Sequence, residues 1–307
     1  MKKPLVIGSR GSKLALWQAR WIQALITRLH PEVTAEIEII KTSGDVKTDP
    51  LSVIGGKGVF TKELEDALLD GRIDIAVHSL KDLPTRLPNL LTVAAICERE
   101  DAHDALVLKE GQAMGSVNDL PPGAVVGTSS PRRLAQLKYL RRDIVSKDLR
   151  GNVDTRLRKL DEGQYQALLL AAAGLRRLGL EGRISALIAT DEMLPAVGQG
   201  ALGVETRAND HATIARVCSL NHEPTQLACT SERAFLRALG GGCQLPIAGY
   251  AVVTGNNLVL EGLIADPFGH DVVRGKLTGP TAEAEDLGSR LAHQLLQRGG
   301  DRLLATQ

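Results

Sequence analysis

The chain has 307 residues, enough for two or three domains of about 100–200 residues each. Hydrophobic residues make up 43% and charged residues 24%, the composition of an ordinary globular protein. Lys+Arg of 37 against Asp+Glu of 36 leaves no global field to draw the chain to nucleic acid or membrane, so any anion site must come from local clustering. The first ten residues hold too short an apolar run for a signal peptide, which needs about 7–15. No stretch approaches the roughly 18 apolar residues of a membrane helix. Cys97, Cys218, Cys229 and Cys243 show no disulfide-framework spacing, and the histidines form no His-x-x-x-His pair. A cytoplasmic protein with free thiols and no metal is therefore expected.

Leu5–Ile7 reads as a strand ending in the turn Gly8-Ser9-Arg10-Gly11-Ser12. Ser12 is placed to cap a helix on which Leu14, Trp17, Trp21, Leu25 and Leu29 recur until His30 and Pro31. Both tryptophans are expected in the core. Arg10 stands where a strand hands over to a helix N-terminus, where α/β folds put ligands. Ala35, Ile37 and Ile39 alternate with Glu36 and Glu38 as a half-exposed strand. Gly55-Gly56-Lys57-Gly58 is not a phosphate loop, because Gly58 replaces the required Ser or Thr. It reads instead as a flexible loop carrying one cation, Lys57. Residues 61–70 form a helix with Leu64, Leu68 and Leu69 facing inward. Ile73–Val77 is a strand buried on both faces, and it runs into His78-Ser79-Leu80-Lys81-Asp82-Leu83-Pro84. Lys81 and Asp82 thus follow the carboxyl end of a central strand, either as a ligand edge or as a solvated ion pair.

The pattern then restarts. Ala105–Leu108 and Ala124–Val126 are strands, the second leading into Gly127-Thr128-Ser129-Ser130-Pro131-Arg132-Arg133. Ser130 suits an N-cap and Pro131 a first helical residue. Hydroxyls, free N–H groups and two arginines converge there on one helix start, an arrangement suited to anions. Ile144 and Val145 begin a short strand before Asp148-Leu149-Arg150-Gly151-Asn152-Val153-Asp154-Thr155-Arg156, where two more arginines flank a helix start. Ala167–Ala173 is a buried strand, and Ala196-Val197-Gly198-Gln199-Gly200 a bend before the strand Leu202–Glu205. The strand–helix rhythm runs twice, as in two-lobed binding folds. From Thr225 the texture changes to a helix, a loop Gly240-Gly241-Gly242-Cys243-Gln244-Leu245-Pro246, three strands within residues 247–277 and an amphipathic helix over Ala282–Arg298. This is a small α+β domain that presents one thiol between glycines and a proline.

Arg10, Arg132, Arg133, Arg150 and Arg156, with Lys57 and Lys81, make local cationic patches against a near-neutral background. Arginine pairs bidentately with carboxylates, at about 1.5–3 kcal/mol per charge-assisted bond. The lone Asp82 suits stabilisation of a cation, and a tethered Cys243 suits a covalent group. Covalent chemistry on a polyanionic small molecule follows.

These residues resemble the porphobilinogen deaminase (hydroxymethylbilane synthase) family over almost the whole length. The resemblance is carried by Ser9-Arg10-Gly11-Ser12 with Leu14-Ala15-Leu16-Trp17-Gln18-Ala19, and by Gly55-Gly56-Lys57-Gly58. It continues in His78-Ser79-Leu80-Lys81-Asp82, Gly127-Thr128-Ser129-Ser130 with Arg132-Arg133, and Leu149-Arg150-Gly151-Asn152 with Thr155-Arg156. Pro195-Ala196-Val197-Gly198-Gln199-Gly200 and Gly241-Gly242-Cys243-Gln244 complete it. It implies an α/β fold of two solute-binding-protein-like lobes plus a small α+β C-terminal domain. Residues 1–100 and 200–218 would form the first domain, 105–195 the second and 222–307 the third, with an active cleft between the two lobes. It implies a dipyrromethane cofactor attached through Cys243 and polymerisation of four porphobilinogens, with loss of ammonia, in tetrapyrrole (porphyrin and haem) biosynthesis. Asp82 matches the catalytic position. Lys81, Asp82, Thr128, Ser129, Ser130, Arg132, Arg133 and Arg150 match cofactor-binding positions, and Arg10, Ser12, Lys57, Arg156 and Gln199 substrate-side ones. A monomer handing its product to uroporphyrinogen-III synthase is expected. Some relatives carry a second lysine ahead of Gly55, where this chain has Val53 and Ile54. A solute-binding protein would need neither Asp82 nor Cys243. A nucleic-acid binder is disfavoured by the neutral charge and 3% aromatic content.

Overall fold

The computed structural model describes residues 4–43, 61–112, 114–242 and 245–305. They fall into two units, Met1–Arg99 with Ala201–Gln226, and Glu100–Gly200 with Leu227–Gln307. The first unit opens with β1 (Leu5–Ser9), α1 (Lys13–Leu29), β2 (Ala35–Ile39), α2 (Lys62–Leu69), β3 (Ile75–Ser79) and β4 (Leu91–Ile96). The second takes β5 (Asp104–Leu108), β6 (Val125–Gly127), α3 (Pro131–Leu140), β7 (Val145–Lys147), α4 (Val153–Asp161), β8 (Ala167–Ala171), α5 (Ala172–Arg177) and β9 (Ala186–Ile188). The chain returns to the first unit as β10 (Leu202–Arg207) and α6 (His211–Val217), then leaves it along α7 (Glu223–Ala238). It ends in the second unit with β11 (Ile247–Thr254), β12 (Asn257–Ala265), β13 (Val272–Pro280), α8 (Ala284–Leu295) and α9 (Asp301–Ala305). No described helix is long and apolar enough to cross a membrane.

In the first unit the sheet order is β2-β1-β3-β10-β4. β1 runs parallel to β2 and β3, while β10 is antiparallel to β3 and β4. The near-continuous apolar runs of β1 and β3 follow from burial on both faces. On one face Ala19, Ile22 and Ile26 of α1 pack on Leu5, Ile7, Ile75 and Val77. On the other Leu64, Ala67 and Leu68 of α2 pack on Ile73 and Ala76. Each such Leu or Ile contributes about 1.5–3 kcal/mol when fully buried.

The second unit repeats the plan in the order β7-β6-β8-β5-β9, with β6 parallel to β7 and β8 and β5 antiparallel to β8 and β9. Leu106, Val126, Leu137 and Leu169 fill one face of its core, and Val107, Leu157, Leu160, Leu168 and Leu170 the other. Both sheets place a glycine near the end of the inner parallel strand, where side chains crowd the backbone. A Cβ would lie 2.3 Å from Ile73 Cδ1 at Gly8 and 2.6 Å from Leu168 Cδ2 at Gly127. The rest of this unit is the antiparallel sheet β11-β12-β13, with Phe235 of α7 and Leu287, Leu291 and Leu295 of α8 packed on Leu258, Leu260 and Ile264. Ala135, Leu194, Ala248, Leu263 and Ala265 join it to the larger sheet's layer. Buried Glu232 adds two bonds there, accepting N–H from Gly198 (2.7 Å) and Ala251 (2.9 Å).

Several local expectations change. Leu69 is 42% exposed, because it lies one residue, about 100°, away from the buried Leu64–Leu68 stripe. Trp17 and Trp21 are half-buried and stack on each other at 6.3 Å. Alanines 15 and 19 take the sheet-facing positions of α1, which leaves the tryptophans on its flank. The strand at Ala167 stops at Ala171, and Ala172 and Ala173 begin α5. Cys97 and Cys229 are buried, but Cys218 is exposed at the end of α6.

Candidate active site

Because β1 and β3 are parallel neighbours, their carboxyl ends lie side by side. Arg10 and Ser12 follow β1, and Lys81 and Asp82 follow β3. The Ser12 hydroxyl accepts the Ala15 N–H at 3.2 Å and so starts α1. The Gln18 amide on α1 donates to Ser79 Oγ at 2.9 Å, which ties the helix to the end of β3. Residues Leu80–Asp82 make one 3-10 turn, closed by the Leu83 N–H on the Leu80 carbonyl at 3.2 Å. Leu80 and Leu83 are buried at either side, so the turn holds Asp82 out to solvent while Lys81 is half-buried. Within the sheet, His78 Nε2 lies 2.9 Å from Glu205 Oε2, both buried. Burial, with Glu205 nearby, pushes the Glu65 carboxyl of α2 above its ordinary value.

The second unit collects its residues in the same place. Thr128-Ser129-Ser130 follows β6, Asp148-Leu149-Arg150-Gly151 follows β7, and these strands are parallel neighbours. Ser130 caps α3 by accepting the Arg133 N–H at 3.4 Å, with Pro131 in the first turn. The Ser129 hydroxyl donates to the Leu149 carbonyl and accepts its N–H at 3.0 Å, stitching the two turns together. Lys159 Nζ donates to the Arg150 carbonyl (3.1 Å), and Arg156 Nε to the Gly151 carbonyl (2.7 Å). Arg150 Nε lies 3.3 Å from Asp148 Oδ2. Ser129, Ser130, Arg150 and Arg156 are half-buried and Thr128 is buried. Two helix N-termini with hydroxyl and guanidinium donors thus open along one sheet edge, a field suited to carboxylates.

Arg132 and Arg133 lie elsewhere. They are 4% and 6% exposed, and their guanidiniums are turned onto Asp104, the fully buried first residue of β5. Arg132 Nη1 donates to Asp104 Oδ2 at 2.6 Å and to the Leu194 carbonyl at 2.7 Å. Arg132 Nη2 (3.1 Å), Arg133 Nε (2.9 Å), Arg133 Nη2 (2.7 Å) and Gln199 Nε2 (2.9 Å) all reach Asp104 Oδ1. Gln199 Nε2 also donates to the Ala102 carbonyl at 2.7 Å. Burial alone would raise the Asp104 carboxyl, but the two guanidiniums outweigh it and hold the group well below the carboxylate range. Burial pulls the Arg132 guanidinium below its ordinary value.

The structure therefore brings Arg10, Ser12, Lys81 and Asp82 to one edge, and Thr128, Ser129, Ser130, Arg150 and Arg156 to another. It gathers Arg132, Arg133 and Gln199 behind the second around Asp104. Lys57 and Cys243 lie outside the described residues. The sequence reading passes over Asp104. Its one signal is an acid heading an apolar strand, in a chain with two adjacent arginines to satisfy.

The profile of the family described as "Porphobilinogen deaminase, dipyromethane cofactor binding domain" matches residues 5–215. That of "Porphobilinogen deaminase, C-terminal domain" matches residues 226–297. Among solved structures, an ancestral arginine-binding protein bound to arginine is 15% identical over 72% of this chain and 91% of its own, with a TM-score of 0.41. The periplasmic VFT2 domain of Bordetella pertussis BvgS is 12% identical over 70% and 86%, at 0.42. The substrate binding protein of an amino acid ABC transporter is 14% identical over 73% and 94%, at 0.38. At these TM-scores the likeness has no bearing on what this chain binds. The dipyrromethane group is an anion, and the Thr128–Ser130 and Arg150–Arg156 donors suit one. Behind them, buried Arg132 Nε has no hydrogen-bond partner. With profiles matching from residue 5 to residue 297, the chain belongs to the porphobilinogen deaminase family, the hydroxymethylbilane synthases of tetrapyrrole biosynthesis.

Proposed function

We propose that the chain joins four porphobilinogen molecules head to tail, with loss of ammonia at each addition, and releases hydroxymethylbilane by hydrolysis. Growth occurs on a dipyrromethane primer held by Cys243, and the chain acts as a cytoplasmic monomer whose product passes to uroporphyrinogen-III synthase. The observation that carries this reading is what the two sheet edges carry. One ends in the exposed carboxylate Asp82, the other in two helix starts bearing Ser129, Ser130, Arg150 and Arg156.

When bound, the dipyrromethane supplies a free pyrrole carbon as nucleophile. Asp82 accepts pyrrole N–H groups and stabilises the cation left when porphobilinogen loses ammonia, as a preorganised charge should. Ser129, Ser130 and Arg150, with Thr128 and Lys81, hold the cofactor's carboxylates. Arg132 and Arg133 add positive charge from behind that turn. Arg10, Ser12 and Arg156 hold substrate carboxylates, Lys57 adds a cation, and Gln199 acts through Asp104.

Intact-mass measurement tests this reading. Cys243→Ser should lose a mass of two pyrrole units and all activity, while Cys97→Ser, Cys218→Ser and Cys229→Ser keep both. Exposed Cys218 is the sharp control. An adduct on a peptide containing Cys97, Cys218 or Cys229 would overturn the assignment.

A further inference from the structure

We infer that Asp104 is a positioning residue for cofactor capture: it orients Arg132, Arg133 and Gln199 as one rigid unit that leaves a single positive charge behind the Thr128–Ser130 turn. The inference rests on the dipyrromethane reading above. Asp104 accepts five N–H bonds from three side chains, four of them on Oδ1. Two guanidiniums against one carboxylate leave the cluster at +1. All of its members are buried.

An uncompensated buried charge is costly. This one sits in the first turn of α3, where the helix dipole adds further positive potential. Arg132 Nε is buried and unpaired, so the cluster carries donor capacity that nothing around it uses. Net positive charge and an unused donor together suit the cluster to an anion in front of it. The first unit offers a contrast, a part-exposed cluster of the opposite net charge, one guanidinium against two carboxylates. There Arg207 is shared between Asp74 (3.0 Å) and Asp210 (2.8 Å), with two backbone carbonyls completing its partners.

A standing positive charge is useful where an anion docks in front of it. Hydroxyl and N–H donors on the Thr128–Ser130 turn make the contact, and the cluster supplies potential that needs no reorganisation when the anion arrives. Asp104 sets that potential. Without it the two guanidiniums repel and lose their shared geometry. With it displaced they point elsewhere.

The test compares wild type with Asp104→Asn, Asp104→Glu and Asp74→Asn. Occupancy of the covalent adduct is read by intact mass and normalised to folded protein by circular dichroism. The rate of loading of apo-protein with porphobilinogen is read the same way. Asp104→Asn should lower occupancy per folded molecule at least tenfold. Asp104→Glu keeps the charge but moves it by a methylene, and should fold normally while loading at least threefold more slowly. Asp74→Asn should lower the melting temperature and leave occupancy per folded molecule unchanged. If Asp104→Asn does not fold, Asp104→Glu decides alone. Asp104→Glu loading at the wild-type rate, or Asp104→Asn keeping wild-type occupancy per folded molecule, would overturn the inference. Wild type without a two-pyrrole adduct would overturn the function reading itself, and this inference with it.

Discussion

The two lobes are built on one plan and carry different side chains at matching places. In each sheet three parallel strands are followed by an antiparallel strand and an edge strand. In each, a serine after the inner parallel strand caps the next helix, Ser12 in one and Ser130 in the other. In each, the central antiparallel strand carries a fully buried acid, Glu205 opposite Ala76 or Asp104 opposite Ala171. The partners differ. Glu205 meets one histidine and leaves Oε1 unpaired, whereas Asp104 meets two arginines and a glutamine. The edges differ too. β3 ends in Lys81 and an exposed Asp82, while β8 runs into the featureless Ala172-Ala173-Gly174. Backbone topology thus fixes where an edge lies, and a few side chains at strand ends decide what that edge does.

The comparison breaks most directly at Asp82. If the first lobe supplies chemistry and the second supplies grip, Asp82→Asn should remove turnover and spare the fold. The side chain is exposed on a one-turn segment, so melting should stay near wild type. Losing one preorganised charge-stabilising group costs roughly 10²–10³-fold in kcat. Adduct mass should be retained, because the cofactor's carboxylates are held by residues other than Asp82. Activity within tenfold of wild type would remove Asp82 from the mechanism.

Arg132→Leu breaks the comparison from the other side. It removes one guanidinium from a buried pair, leaves the Leu194 carbonyl to Gln136 alone and brings the Asp104 cluster to neutrality. Breaking a buried pair costs about 3–5 kcal/mol when the remaining charge is left alone. Asp104 keeps Arg133 and Gln199, so the loss should fall at or below the lower end of that range. The expected outcome is folded protein with a lower melting temperature and little or no covalent cofactor by mass. Wild-type loading and turnover would show that the second lobe's charge is incidental.

Much of this was legible in the sequence, and the boundary of legibility is physical. Strand and helix periodicity is local, so the restart of the pattern at Ala105 and the caps at Ser12 and Ser130 can be read directly. The short strands Leu91–Ile96 and Ala186–Ile188 are not recovered, since they are held by long-range pairing, and neither is the seven-residue helix His211–Val217 behind its Asp210 cap. The carboxyl-edge placement of Lys81, Asp82 and the Thr128–Ser130 turn follows from the order of elements alone. The burial of Arg132 and Arg133 does not. It depends on an acid 28 residues away in sequence, on a different strand. Counting arginines shows a cationic patch, but whether a guanidinium faces a ligand or a carboxylate is decided only in three dimensions.

The smallest effect sharpens the comparison through pH. In the second lobe Asp104 has a folded pKa far below its unfolded value of about 3.9. Its contribution to stability is complete above that unfolded value and drains as pH falls below it, since protonation must then break the arginine pairs. In the first lobe the sign is reversed. Glu65 is raised by burial beside Glu205, so its folded form holds a proton at a pH where the unfolded chain has lost it. The stability it allows is complete below its unfolded value of about 4.3 and is lost as pH rises through the folded value. Glu65→Gln mimics the protonated side chain at every pH. It should therefore raise the melting temperature at pH 7–8 by roughly 1–3 °C, and give no gain near pH 4, where the wild-type group already carries its proton. Calorimetric scans of the two proteins at both pH values measure this. A gain of equal size at pH 4 would trace the effect to packing, and a loss at pH 7 would mean that the Glu65 carboxylate is favourably paired in the folded lobe.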